Sequence, residues 1–143
     1  MKGQKRIAVI GSGGQVGSEL VGLDWSSYLA EHKVDVISFT RAELDVTNET
    51  AVRTSLSEMK PDWVINASAY TAVDKAESDS VAAYSVNAIG PEILARCCAE
   101  LGAKLIRIST DYVYRGEGNA PPFNSRLSNQ KIADVFGLQP DDW

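Results

Sequence analysis

Residues 11–17, Gly11-Ser12-Gly13-Gly14-Gln15-Val16-Gly17, place glycines at 11, 14 and 17. That spacing suits the holding of an anion. Gly11 permits a tight turn, Gly14 lets a pyrophosphate approach the backbone, and Gly17 lets a helix pack closely on a strand. A helix opening at Gln15 and Val16 would offer phosphates its free N–H groups and partial positive charge. A turn that holds no ligand is the plainer reading of the same residues. Farther on, Phe39-Thr40-Arg41 carries no acid of the kind that bonds ribose hydroxyls. The Arg41 guanidinium instead matches a 2′-phosphate, which favours NADPH, with NADH still allowed. The alternative for Arg41 is a solvated loop arginine. Asp45 either touches an adenine edge or caps the turn that follows it.

Two further stretches carry polar groups at what should be strand ends. One is Asn66-Ala67-Ser68-Ala69-Tyr70-Thr71, where the small residues Ala67 and Ala69 beside Tyr70 leave room for a ribose or nicotinamide. The other is Ser109-Thr110-Asp111-Tyr112, where the hydroxyl of Thr110 is a candidate catalytic group toward a carbonyl or alcohol. Each set also reads as strand-end capping. Asp74, Lys75 and Glu77 read equally as a solvated helix face with local ion pairs.

These residues need strands to present them. Apolar runs at 6–10, 34–39, 63–66 and 105–109 predict four strands. Between them lie helical patterns at about 16–30, 48–59 and 78–101, with Pro91 expected to start a new helix or kink the old one. Alternating strand and helix imply an α/β, Rossmann-like, doubly wound parallel sheet. Ligands bind such sheets at the carboxyl ends of the strands. After Tyr114 the composition changes. Two domains follow: residues 1–118 as an NAD(P)-binding unit, and 119–143 as a loop with a short helical tail over about 128–136.

Composition narrows the functional classes. The chain has 143 residues, a formal net charge of −5 and 23% charged residues. An acidic chain without a basic stripe argues against nucleic-acid or anionic-membrane binding. No apolar run reaches the roughly 20 residues that span a bilayer. The lone His32 and the adjacent Cys97 and Cys98 offer no metal-ligand spacing, and the cysteines suit small apolar packing in a reducing, cytoplasmic setting.

Taken together, GSGGQVG, NASAYTAVDKAE, Asn87 in VNAIG, and ISTDYVY resemble the extended short-chain dehydrogenase/reductases. The likeness is greatest to the dTDP-4-dehydrorhamnose reductase family, over residues 5–118. It implies reduction of a 4-keto nucleotide sugar with hydride from NAD(P)H. It also implies Thr110 at the family's hydroxyl position and Asn87 as its supporting asparagine. Residues 123–127, with the terminal Pro140-Asp141-Asp142-Trp143, are similar to the family's C-terminal end, so the chain reads as internally deleted near Pro121-Pro122-Phe123. The family's Tyr-x-x-x-Lys pair does not occur: four residues after the five tyrosines stand His32, Asp74, Ala88, Gly116 and Gly118. Three roles follow as expectations. The chain is an impaired reductase, a dinucleotide-binding module without turnover, or an interaction protein that self-associates through an exposed sheet edge.

Overall fold

The computed structural model describes residues 3–29, 32–72, 75 and 77–108. The four apolar runs form strands β1 (Lys5–Ile10), β2 (Val34–Phe39), β3 (Trp63–Asn66) and β4 (Lys104–Arg107). All pairs are parallel, in the order β2-β1-β3-β4. The chain steps to one side of β1 for β2 and to the other for β3. The crevice at the carboxyl ends of β1 and β3 is therefore the topological switch point. Among the described residues β2 and β4 are the outer strands.

The first helical pattern breaks where its sequence is weakest. Helix α1 (Gln15–Gly22) stops at glycine, Leu23 is extended, and α2 (Trp25–Tyr28) begins anew. Asp24 makes the restart, its side chain accepting from the Ser26 N–H at 3.1 Å, as short acids do at N-caps rather than within helices. Helix α3 (Glu49–Met59) is capped by Asn48, whose Oδ1 accepts from the Ala51 N–H at 3.1 Å. It ends at Lys60 in the left-handed conformation, before Pro61.

The long pattern over 78–101 divides into α4 (Ser80–Tyr84), one π-helical turn (Ser85–Ile89) and α5 (Gly90–Leu101). Pro91 stands in the first turn of α5, where no intrahelical N–H is required. It thus starts a helix, one of the two outcomes expected. Gly102, at φ +70°, closes α5, and the Ala103 N–H returns to the Cys98 carbonyl at 2.9 Å.

The sheet is covered on both faces. Ala8, Ile10 and Val64 meet Val52 and Leu56 of α3 and Ile93, Leu94, Cys97 and Cys98 of α5. Ile7, Val9 and Ile65 meet Leu20, Trp25 and Leu29 on the other face. Both cysteines are free and buried, as small apolar groups would be. No helix among the described residues is long and apolar enough to cross a membrane. The 118/119 boundary and the 119–143 tail lie outside the described residues.

Candidate functional site

The glycine turn joins β1 to α1 at the switch point, and its glycines answer to different contacts. Gly11 takes φ +85°, and a Cβ there would stand 2.6 Å from the Ser68 nitrogen. A Cβ on Gly17 would stand 2.1 Å from the Gly11 carbonyl oxygen. These two are required by the fold itself, one by conformation and close approach, the other by packing of α1 on the turn. A Cβ on Gly14 would meet nothing nearer than the Gly11 oxygen at 3.5 Å. Nothing in the chain's own packing forbids a side chain at 14, so the space over it is open to a ligand. Gly14 is also the N-cap of α1 and has no side chain to cap the helix's free N–H groups.

A cleft of about 650 Å³ opens on this turn. Gly11 and Gly14 line it together with Arg41, Asp45, Ala67, Ala69 and Tyr70. Three separated stretches of sequence thus converge on one cavity. Gln15 and Val16 open α1 but line a separate, shallower depression with Leu20 and Leu23. Gly17 is buried behind the turn. Thr110 lies outside the described residues, as does Asp74.

The electrostatics of the cleft are mixed. The Asp45 carboxylate accepts from the Thr47 N–H at 2.9 Å and its hydroxyl at 2.7 Å. These bonds, with smaller help from Arg41, hold its pKa below the usual value. Asp45 therefore caps the following turn while also lining the cleft. Tyr70 has its phenol pKa raised, first by desolvation and then by Asp79, whose carboxylate lies 3.5 Å from the hydroxyl.

Lys75, whose reading the sequence left open between a solvated helix face and the site, lines the cleft and gives it a second cation besides Arg41. One feature escaped the sequence reading. Glu43 folds back to the end of β2, where it accepts from the Thr40 N–H at 2.7 Å and hydroxyl at 2.8 Å. An acid does stand at the end of the second strand, but it is engaged there and does not line the cleft. The capping pattern of Thr40 followed three residues later by Glu43 was the available signal. Among the described residues no cluster of three His, Cys, Asp or Glu side chains could hold a metal ion.

A parallel sheet in the order 2-1-3-4, with a glycine turn at its switch point and a cleft over the helix N-terminus, defines a Rossmann-like α/β protein. A family model described as "RmlD substrate binding domain" matches residues 5–123, and the chain belongs to that family. The matched span contains the glycine turn and every described residue of the cleft. The dTDP-4-dehydrorhamnose reductase of Mycobacterium tuberculosis is 43% identical over 119 residues, covering 82% of this chain and 37% of the relative. The crystal structure of dTDP-4-dehydrorhamnose reductase from Bacillus anthracis in complex with NADP is 36% identical, with a TM-score of 0.71. It covers 80% of this chain and 39% of that one. The corresponding protein from Clostridium acetobutylicum is 41% identical at a TM-score of 0.69, with 83% and 41% covered. The chain spans under half the length of each of these relatives.

Proposed function

We propose that this chain binds NADPH in the cleft at the head of β1 and β3, as the dinucleotide-binding part of a dTDP-4-dehydrorhamnose reductase-type oxidoreductase. The observation that carries the reading is the open space over Gly14 at the uncapped start of α1, with Arg41 and Lys75 lining the same cleft. The diphosphate lies on the N–H groups of the turn. Arg41 takes the 2′-phosphate, and Ala67 and Ala69 leave the backbone accessible to a ribose. The Bacillus anthracis relative, solved with NADP, supports this choice of cofactor. When bound, NADPH supplies hydride to a carbonyl of a nucleotide-sugar substrate, toward which Thr110 is the candidate hydroxyl.

No tyrosine of this sequence has a lysine four residues on. Such a pair supplies the proton that accompanies hydride, and its absence lowers the rate by about 10²–10⁴. We therefore assign cofactor binding to this chain and little or no turnover to it alone. Fluorescence titration with NADPH, followed by NADPH depletion with dTDP-4-dehydrorhamnose, tests both parts. Binding with negligible depletion is expected. No binding at millimolar NADPH removes the proposal, and rapid depletion removes its second half. Self-association along the edge of β4, an outer strand among the described residues, belongs to the same proposal, and light scattering of the 143-residue chain reads it.

A further inference from the structure

The end of β2 runs into a turn that is closed twice. The Thr40 carbonyl accepts from the N–H of Glu43 at 3.1 Å and from that of Leu44 at 3.0 Å. In the reverse direction one carboxylate oxygen of Glu43, Oε2, accepts from the Thr40 N–H at 2.7 Å and from its hydroxyl at 2.8 Å. Arg41 and Ala42 are the residues spanned by this clasp. The bonds to the carboxylate are charge-assisted, and they hold its pKa below the ordinary value of 4.5, the backbone donor foremost. Glu43 is therefore a carboxylate at neutral pH.

Both ends of the turn are anchored. The Phe39 carbonyl, just before it, accepts from the Gly11 N–H at 2.9 Å and the Ser12 N–H at 3.0 Å, which ties it to the glycine turn. Leu44, just after it, is buried in the core. Between these anchors the shape of the turn decides where Arg41 leaves the backbone. Arg41 lies close enough to Asp45 and Tyr70 to act on the pKa of each, so the turn presents it among the cleft walls. Residues 40–42 and 44–46 all line the cleft, and Glu43 alone in that stretch does not. The clasp thus turns the Glu43 carboxylate away from the space beside Arg41. A free carboxylate there would repel a phosphate and compete for the guanidinium.

We infer that Glu43 is a positioning residue for cofactor selectivity: by clasping Thr40 it sets Arg41 to meet a 2′-phosphate and keeps its own charge out of the cleft. The inference rests on the cleft being the NADPH site and on Arg41 taking the 2′-phosphate.

The test is the ratio of the dissociation constant for NADH to that for NADPH, measured by fluorescence titration of the full chain. Glu43 is exposed, so its substitution leaves the core intact. Glu43→Ala removes the clasp and should lower the ratio about fivefold, the equivalent of one net hydrogen bond, chiefly by weakening NADPH. Glu43→Gln keeps an acceptor oxygen in the place of Oε2 without the charge, and should retain most of the selectivity. In an Arg41→Ala background, Glu43→Ala should change the ratio no further, because no guanidinium is left to place. The direction of the change separates this role from that of a bystander acid, whose removal beside a phosphate site would make both Glu43 variants bind NADPH more tightly. An unaltered chain that prefers NADPH, with Glu43→Ala equally or more selective, overturns the inference and leaves the cofactor site standing. So does an equal loss in Glu43→Gln, or a loss that persists in the Arg41→Ala background. An unaltered chain that binds both cofactors alike overturns the inference together with the Arg41 assignment, and one that binds neither overturns the NADPH site as well.

Discussion

Glycines 14 and 17 lie three residues apart in one turn, yet they predict opposite outcomes on substitution. A side chain at 17 would collide with the Gly11 carbonyl, whose oxygen stands 2.1 Å from the ideal Cβ position. Gly17→Ala should therefore destabilise the fold by about 1–3 kcal/mol through overpacking, read as a lowered denaturation midpoint. A side chain at 14 has room within the protein. Gly14→Val should fold with a near-native melting temperature and lose NADPH binding, because its side chain fills the space where the diphosphate rests. A Gly14→Val chain that still binds NADPH would remove the phosphate from this turn. At Arg41 the expectation concerns selectivity. A charge-assisted hydrogen bond contributes roughly 1.5–3 kcal/mol, so Arg41→Ala should narrow the preference for NADPH over NADH by about tenfold or more. An unchanged ratio of dissociation constants would return Arg41 to the solvent. The glycine spacing and the small residues at 67 and 69 were legible because single residue types carry their meaning. Lys75 was not, since a lysine at helical spacing looks the same whether it meets water or a cleft.

At the scale of elements, the strands were the plainest part of the sequence. A strand buried on both faces must be a short continuous apolar run, and β1 is one. Helices were less plain where capping competed with continuation: Asp24 could sit in a helix or start one, and the structure uses it to start α2. The π turn left no sequence pattern. Its Asn87 carbonyl, facing a proline with no N–H at position 91, accepts from Arg107 Nη2, and such a long-range contact has no periodicity. Asp62 shows how the loops between elements respond to pH. It accepts from Lys5 Nζ at 2.8 Å and from the Arg6 N–H at 2.9 Å, tying the start of β3 to β1. These contacts, Lys5 foremost, lower its carboxyl pKa from 3.8. A carboxylate with a lowered folded pKa contributes stability that is fully present above its unfolded value and is lost as pH falls through the folded value. Asp62→Asn should therefore remove at most about 1 kcal/mol at neutral pH, because both partners are only half-buried and water screens the pair. It should also flatten the fall in stability below pH 4, as measured by urea denaturation across pH. Equal acid slopes in the two proteins would contradict this assignment.

The whole molecule is acidic, with a net charge of −5, yet we assign it an anionic ligand. Local groups resolve the conflict: helix N–H groups and two cations act over a few ångströms, while the distributed negative charge is screened at about 8 Å in physiological salt. NADPH bound to the folded state alone should raise its stability by about 2.7 kcal/mol at a hundred times the dissociation constant. Thermal melts with and without NADPH should therefore differ by roughly 10 °C or more. A melting temperature independent of NADPH would mean that the fold has no such site. The resemblance to reductases was legible from the motifs, and the family match over residues 5–123 agrees with it. Arg41, Asp45 and Tyr70 were expected at the carboxyl edge of the sheet, and they do line one cleft there; the size of that cleft was not legible, because it arises from the order of the strands rather than from any segment.

The proposed site requires a dinucleotide diphosphate to rest on the backbone at the start of α1. Amide chemical shifts of the isotope-labelled chain, followed while NADPH is added, test it most directly. Saturable shifts are expected, largest at Gly13, Gly14 and Gln15 and accompanied by the amides around Arg41 and Tyr70. Saturable binding that leaves residues 12–17 unshifted would contradict it.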